Sequence, residues 1–355
     1  LASATGGVSA VNSNDFEDGL DRILERSKGY YRLAYTPSEK FDGKYHKIEV
    51  KVKRDGVNVY SPAGYAAREI KLPSPKTKEE EILAAARSPI TKKDLDVNAS
   101  FLFNFLPDNK LNLEIHLLID AKKLNFKESD NKYRSSLDVV GFVVDAFGRN
   151  RGGFSQTINS NLTSEDYNKA IADGLSYFAN TQLSQGVYQL TLVVRENDTG
   201  RTGSLTKYLE VPDLSNKKLI TSSIFLYAVD PKAKFNTTPE PMLASNRISR
   251  KKDLRYASVI YNARTENNKT DVVSQIIISQ GRKVLFVEQE QPVTKTVGPE
   301  QPTARKDNST LYKLGQLSLS KAQPGKYLLT LIIVDKLADK NANKIVRSAE
   351  FVVVE

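Results

Sequence analysis

Two stretches of this 355-residue chain repeat one pattern: Gln185-Gly186-Val187-Tyr188-Gln189-Leu190-Thr191-Leu192 and Pro324-Gly325-Lys326-Tyr327-Leu328-Leu329-Thr330-Leu331. In each, a glycine lets the chain reverse, and a tyrosine two positions on starts an alternating strand with its ring on the packed face. An acidic residue follows (Glu196, Asp335), then a Gly- or Asn-rich turn, then a final strand ending Leu209-Glu210-Val211 or Phe351-Val352-Val353. Two explanations stay open: internal duplication of one sandwich type, or independent reuse of a Gly-x-Tyr opening.

Outward from the first copy the period is two. Ala99, Phe101, Phe103 and Phe105 alternate, as do Leu111, Leu113, Ile115, Leu117 and Ile119, with Pro107-Asp108-Asn109 as the turn between them. Leu137 to Phe147 is apolar on nearly both faces, which predicts a central strand, and Gly148 to Gly153 predicts the turn after it. Thr163, with Asp166 three residues on, caps a short helix expected to cross one end of the sandwich. Six or so antiparallel strands make residues 95–214 a β-sandwich with an inserted short helix. Around the second copy the same logic recurs. Ile224, Leu226 and Ala228 open it, 254–261, 272–279, 283–288 and 311–319 continue it, and 292–309 reads as a long exposed loop. Residues 215–355 are therefore a second β-sandwich, and both are expected to be immunoglobulin- or fibronectin-III-like.

The front of the chain differs. Asn14 and Glu17 form a capping box for an amphipathic helix whose face carries Phe16, Leu20, Ile23 and Leu24 and which stops at Gly29. Tyr31, Leu33 and Tyr35 then alternate, and after the Asp42-Gly43 turn so do Ile48, Val50 and Val52. One helix and two or three strands bury too little surface to stand alone, so residues 1–70 read as the C-terminal part of a larger α/β domain, completed by complementary polypeptide. Residues 71–94, with Pro73, Pro75, Pro89 and a short helical candidate at 79–86, read as a linker.

Composition narrows the function. There is no Cys, which excludes disulfides and thiolate metal sites, and no apolar run approaches the roughly 20 residues that span a bilayer, so the chain is expected not to be transmembrane. The net charge of +10 is spread along the chain with few basic residues beside stacking aromatics, which argues against a nucleic-acid partner. His46 and His116, the two histidines, sit on the polar side of alternating strands in different domains and read as surface residues. No Gly-x-Ser-x-Gly elbow, dinucleotide fingerprint or phosphate loop occurs. Gly148-Arg149-Asn150-Arg151-Gly152-Gly153 suits either an anion or a solvated hairpin loop, and Glu196-Asn197-Asp198 is a weak cluster of oxygen ligands. No residue is assigned a catalytic, cofactor-binding or metal role, no cofactor is expected, and the chain is expected not to be an enzyme.

Leu1-Ala2-Ser3-Ala4-Thr5-Gly6-Gly7, Tyr30-Tyr31-Arg32-Leu33-Ala34-Tyr35-Thr36-Pro37, the stretch from Asp42-Gly43 to Val52, and Gly64-Tyr65 resemble the end of a von Willebrand factor A-related domain of the kind found in exported proteins of acidobacteria. The stretch from Leu162-Thr163 to Tyr167, Gly186-x-Tyr188 and Val211-Pro212-Asp213 resemble the region that follows it. The resemblance implies an extracytoplasmic protein, in the periplasm, at the cell surface or secreted. The family's metal-binding Asp-x-Ser-x-Ser loop would precede Leu1, so no residue here inherits that role. The resulting expectation is a non-enzymatic structural or interaction protein of a cell-surface or extracellular assembly or adhesion, with protein partners in a homo- or hetero-oligomer. The alternative is an accessory subunit of an envelope-associated enzyme or transport complex. The final strand, 345–355, is expected to close the second sandwich and to leave the opposite sheet edge open for a partner.

Overall fold

The computed structural model describes residues 33, 42–56, 59, 61–67, 75–233, 240–242, 245–293, 309–339 and 342–355. The fold is mostly β. The chain divides into two compact units, residues 1–80 with 88–90, and 81–87 with 91–355.

In the first unit, β1 (Tyr45–Lys47) pairs antiparallel with β2 (Gly64–Ala66), and the Ile48 amide extends the pairing to the Ala63 carbonyl. Ile48 and Val50 are half-buried between exposed Lys47, Glu49 and Lys51, but Val52 is exposed, so the expected alternation holds only as far as Val50, and the strand ends at Lys47. No partner strand runs beside 49–52 among the described residues. The expected helix over 14–28 lies outside the described residues, as does the strand over 31–35 apart from Leu33.

The described part of the expected linker, residues 75–94, carries a helix that docks on a sheet. Helix α1 (Lys78–Arg87) starts after Thr77, whose hydroxyl accepts from the Glu80 amide, while the Glu80 carboxylate accepts from the Lys76 amide at 2.6 Å. Its second half belongs to the second unit. There Ile82 and Ala85 pack on Val140 and Val193, and Glu81 meets Arg195 Nε at 2.5 Å.

The second unit continues with β3 (Val97–Phe105), β4 (Leu111–Ile119), β5 (Lys127–Ser129), β6 (Lys132–Asp145), β7 (Asn150–Leu162), α2 (Ser164–Asp173), β8 (Leu175–Leu183), β9 (Gly186–Glu196) and β10 (Thr202–Val211). Strands β3-β4-β8 form one sheet and β10-β9-β6 another, with β5 and β7 both on β6. The inward residues of both sheets, including Leu113, Ile115, Leu117, Leu137, Val139, Leu190 and Leu192, make one core. As expected, Thr163 caps α2 by accepting from the Asp166 amide. The central strand differs in extent: β6 begins at Lys132 and ends at Asp145, and Phe147 is 82% exposed in the turn. Asn150 to Gly153 are already in β7, so the turn is shorter than the glycines suggest. Strand β6 is apolar on both faces because β7 and β9 flank it, its inner face meets the core, and α1 covers Val140 on the outer face.

A second core gathers around β11 (Ile220–Thr221), β12 (Phe225–Val229), β13 (Glu240–Pro241), β14 (Arg247–Ser249), β15 (Asp253–Tyr261), β16 (Val272–Gln280), β17 (Lys283–Val287), β18 (Gln291–Pro292), β19 (Leu311–Ser318), β20 (Gly325–Asp335) and β21 (Lys344–Val354). Its pairings reproduce those of the first. β12-β15-β19 correspond to β3-β4-β8, and β21-β20-β16-β17 to β10-β9-β6-β7. The correspondence holds residue by residue: Tyr188 faces Leu209 and Gly186 faces Val211, while Tyr327 faces Phe351 and Gly325 faces Val353. Both glycines have φ near +150°, where a side chain is strained. Of the segment expected as a long loop, Pro292 pairs with Val273 in β18, and residues 294–308 lie outside the described residues.

Candidate interaction surfaces

The acidic residues that follow the two Gly-x-Tyr strands are structural. Glu196 is 1% exposed and Asp335 fully buried, and each faces the equivalent residue of the neighbouring central strand, Leu137 or Val272. Glu196 accepts from the Asn125 amide, the Thr199 hydroxyl and the Arg201 guanidinium. Burial pushes its pKa up, but these donors outweigh burial and hold it below the ordinary glutamate value. Asp335 accepts from the Arg264 amide at 2.7 Å and the Leu337 amide at 3.0 Å. Each carboxylate ties a loop to the end of its strand, so the Glu196-Asn197-Asp198 cluster is a turn anchor.

The glycine- and arginine-rich hairpin has its own anion. Asp145 accepts from the Phe147 and Arg149 amides and from the Nε groups of Arg149 and Arg151, both at 2.8 Å. Desolvation works against the charge, yet these four donors hold the Asp145 carboxyl well below the usual range. The two arginines are thus engaged by the protein's own carboxylate.

The histidines are less exposed than surface residues. His46 sits 3.0 Å from Asp42 and stacks on Tyr65, and the Asp42 carboxyl is lowered mainly by that hydrogen bond. His116 lies 3.5 Å from Glu114 and edge-on to Phe178. The two belong to different units. Among the described residues no group of three or more His, Asp or Glu side chains is placed to hold a metal ion. No helix among them is long and apolar enough to cross a membrane.

Two surfaces stand out among the described residues. The first is β17, which among the described residues pairs only with β16, with a bulge at Leu285. Val284, Leu285, Phe286 and Val287 are 56%, 43%, 46% and 51% exposed. Its counterpart β7 is also an edge, but a blunted one, with Arg151, Gly152, Gly153 and a polar run from Ser155 to Thr157. The outer edge of the terminal strand β21 is covered at 352–354 by β14 in parallel register. The second surface is a groove of about 740 Å³ between the two cores, lined by β3, residues 223–227, and Arg347 to Glu350 of β21. The sequence led to the expectation of an open edge opposite the final strand, which is where β17 lies, without picking out its uncharged run Val284 to Val287; it gave no sign of the groove.

No family model matches the chain, and no curated protein does. Among solved structures, the chain is similar over 74% of its length to a protein described as "Crystal structure of Salmonella alpha-2-macroglobulin reacted with methylamine", at 12% identity and a TM-score of 0.20. The match spans 17% of that chain, and at this level carries no argument about fold or activity.

Proposed function

We propose that this chain is a non-enzymatic interaction protein of an extracytoplasmic assembly, built from two fibronectin-III-like sandwiches behind the C-terminal end of a von Willebrand A-like domain. The sequence resemblance supports the A-like end and the location. The sandwich assignment is supported by sheets of three and four equivalent strands recurring around two cores, and by a tyrosine at the same corner of each.

The observation that carries the interaction role is β17. Natural sheet edges are normally blunted by charge, proline or a bulge; β17 carries a bulge at Leu285 but neither charge nor proline over 284–287, and four consecutive apolar residues on an edge with no partner among the described residues favour strand addition. The occupant is a second copy of the chain. Arg282 and Lys283 precede the apolar run and the exposed Glu290, loosely paired with Lys336, follows it, so antiparallel pairing of two β17 strands brings each basic start towards the Glu290 end of the other, while Glu288 is turned inward onto Lys313. Sedimentation of the wild type against Leu285→Lys tests this. A dimer that the substitution converts to monomer is expected. A wild type that stays monomeric at every concentration, or a variant that still dimerises, overturns it.

A further inference from the structure

The two repeats differ at one position where the packing leads one to expect an apolar residue. Leu192 faces Leu205 across β9 and β10, and the equivalent Leu331 faces Arg347 across β20 and β21. Leu205 packs on the first core. Arg347 shares its strand face with Ile345, Ala349, Phe351 and Val353, which pack in or against the second. A guanidinium on that face costs desolvation unless it is paired. Here Nε is fully enclosed with no hydrogen-bond partner among the described residues, and Arg347 lines the groove between the cores. Burial also lowers the Arg347 pKa from its ordinary value.

The wall opposite is an open strand edge. The Phe103 amide donates to Ser223 Oγ at 3.0 Å and its carbonyl accepts from the Ser223 amide at 2.9 Å, so Phe103 directs its backbone away from β4. An antiparallel ladder alternates, which turns the backbone groups of Ala99 and Phe101 the same way. Both residues line the groove, and no partner among the described residues takes those groups. Lys207 adds a second cation with no ion pair among the described residues; of the acids at the groove, Glu114 is beside His116, and Glu350 borders it although its side chain alternates with that of Arg347 along β21.

We propose that this groove takes an extended acidic segment of a partner protein, which pairs with the β3 edge at Ala99 and Phe101 and places a carboxylate on Arg347. It deepens the interaction reading above but uses a surface separate from β17. Backbone pairing supplies affinity and the arginine selects the acidic side chain.

The test titrates the full chain with an acetylated octapeptide alternating threonine and glutamate, with its glutamine counterpart, and with succinate, following amide exchange by NMR. The glutamate peptide is expected to bind and to protect the Ala99 and Phe101 amides, with the glutamine peptide at least tenfold weaker. Arg347→Leu, which installs the residue of the first repeat, should keep the fold and lose at least tenfold in affinity, as should Arg347→Met. Equal binding by either variant, or saturation by succinate without protection of β3, overturns the proposal. Leu285→Lys should leave peptide binding unchanged, so failure of dimerisation and failure of the groove are separately visible.

Discussion

Tyr188 and Tyr327 occupy one place in two successive cores: each hydroxyl donates to the carbonyl four residues upstream, Ser184 at 3.0 Å and Gln323 at 2.6 Å. Each ring is 6% exposed and sits at the start of the strand that crosses its sheet. A buried hydroxyl with one good acceptor contributes about 1 kcal/mol net. Tyr188→Phe and Tyr327→Phe should each lower stability by about that amount, and their effects should add within about 0.5 kcal/mol because they belong to separate cores. Urea unfolding of the two single variants and the double variant checks this; strong coupling between them would mean the cores are not independent.

A second expectation concerns pH. The folded-state pKa of Glu196 is depressed, so the stability it contributes is complete above the unfolded value and is lost as pH falls through the folded one. The difference in unfolding free energy between wild type and Glu196→Gln should be flat near neutrality and shrink as pH falls below the ordinary glutamate value of 4.5. Urea titrations from neutral to acid pH measure it. A difference that widens towards acid would contradict the direction.

Helix α1 offers a third. Ile82 is 7% exposed against Val140 and Val193, and truncating a buried isoleucine costs roughly 2–4 kcal/mol where the site cannot collapse. Ile82→Ala should speed amide exchange across 81–87 while leaving β20 and β21 protected. Unchanged exchange would mean that the helix holds without its contact to the sheet.

These sites differ in how far the sequence exposes them. The strands are legible because their half-buried faces alternate, as at Leu111 to Ile119, where every second residue is buried. The matched endings at Leu209 and Phe351 are legible because each faces its tyrosine in register. The docked part of α1 is not, since Ile82 and Ala85 are too few to make a strong periodic signal among charged neighbours. The clue lay elsewhere, in Val140, Phe142 and Val193, apolar residues on the face of the sheet away from its core. Arg347 is different: the matched endings place it where the first repeat has Leu205, but only three-dimensional register shows that it faces Leu331 on the side of the core.

The terminal strand carries the last prediction. Phe351 and Val353 are each 1% exposed, Phe351 stacks on Tyr327 at 5.4 Å, and residues 352–354 also hold β14 in parallel register. Arg250 meets the Glu355 carboxylate at 2.7 Å and the Ser249 hydroxyl donates to the Glu355 carbonyl. Removing a buried phenylalanine alone costs about 3–5 kcal/mol, a large fraction of the 5–15 kcal/mol that holds a typical domain. Deleting Phe351 to Glu355 should therefore unfold the second core before the first, splitting the thermal transition in calorimetry, and self-association through β17 should disappear with it. The order of these losses is what matters. If the truncated chain keeps its thermal transition and fails only to associate, the strand serves a neighbouring molecule, and its pairing with β20 is not what holds the second core.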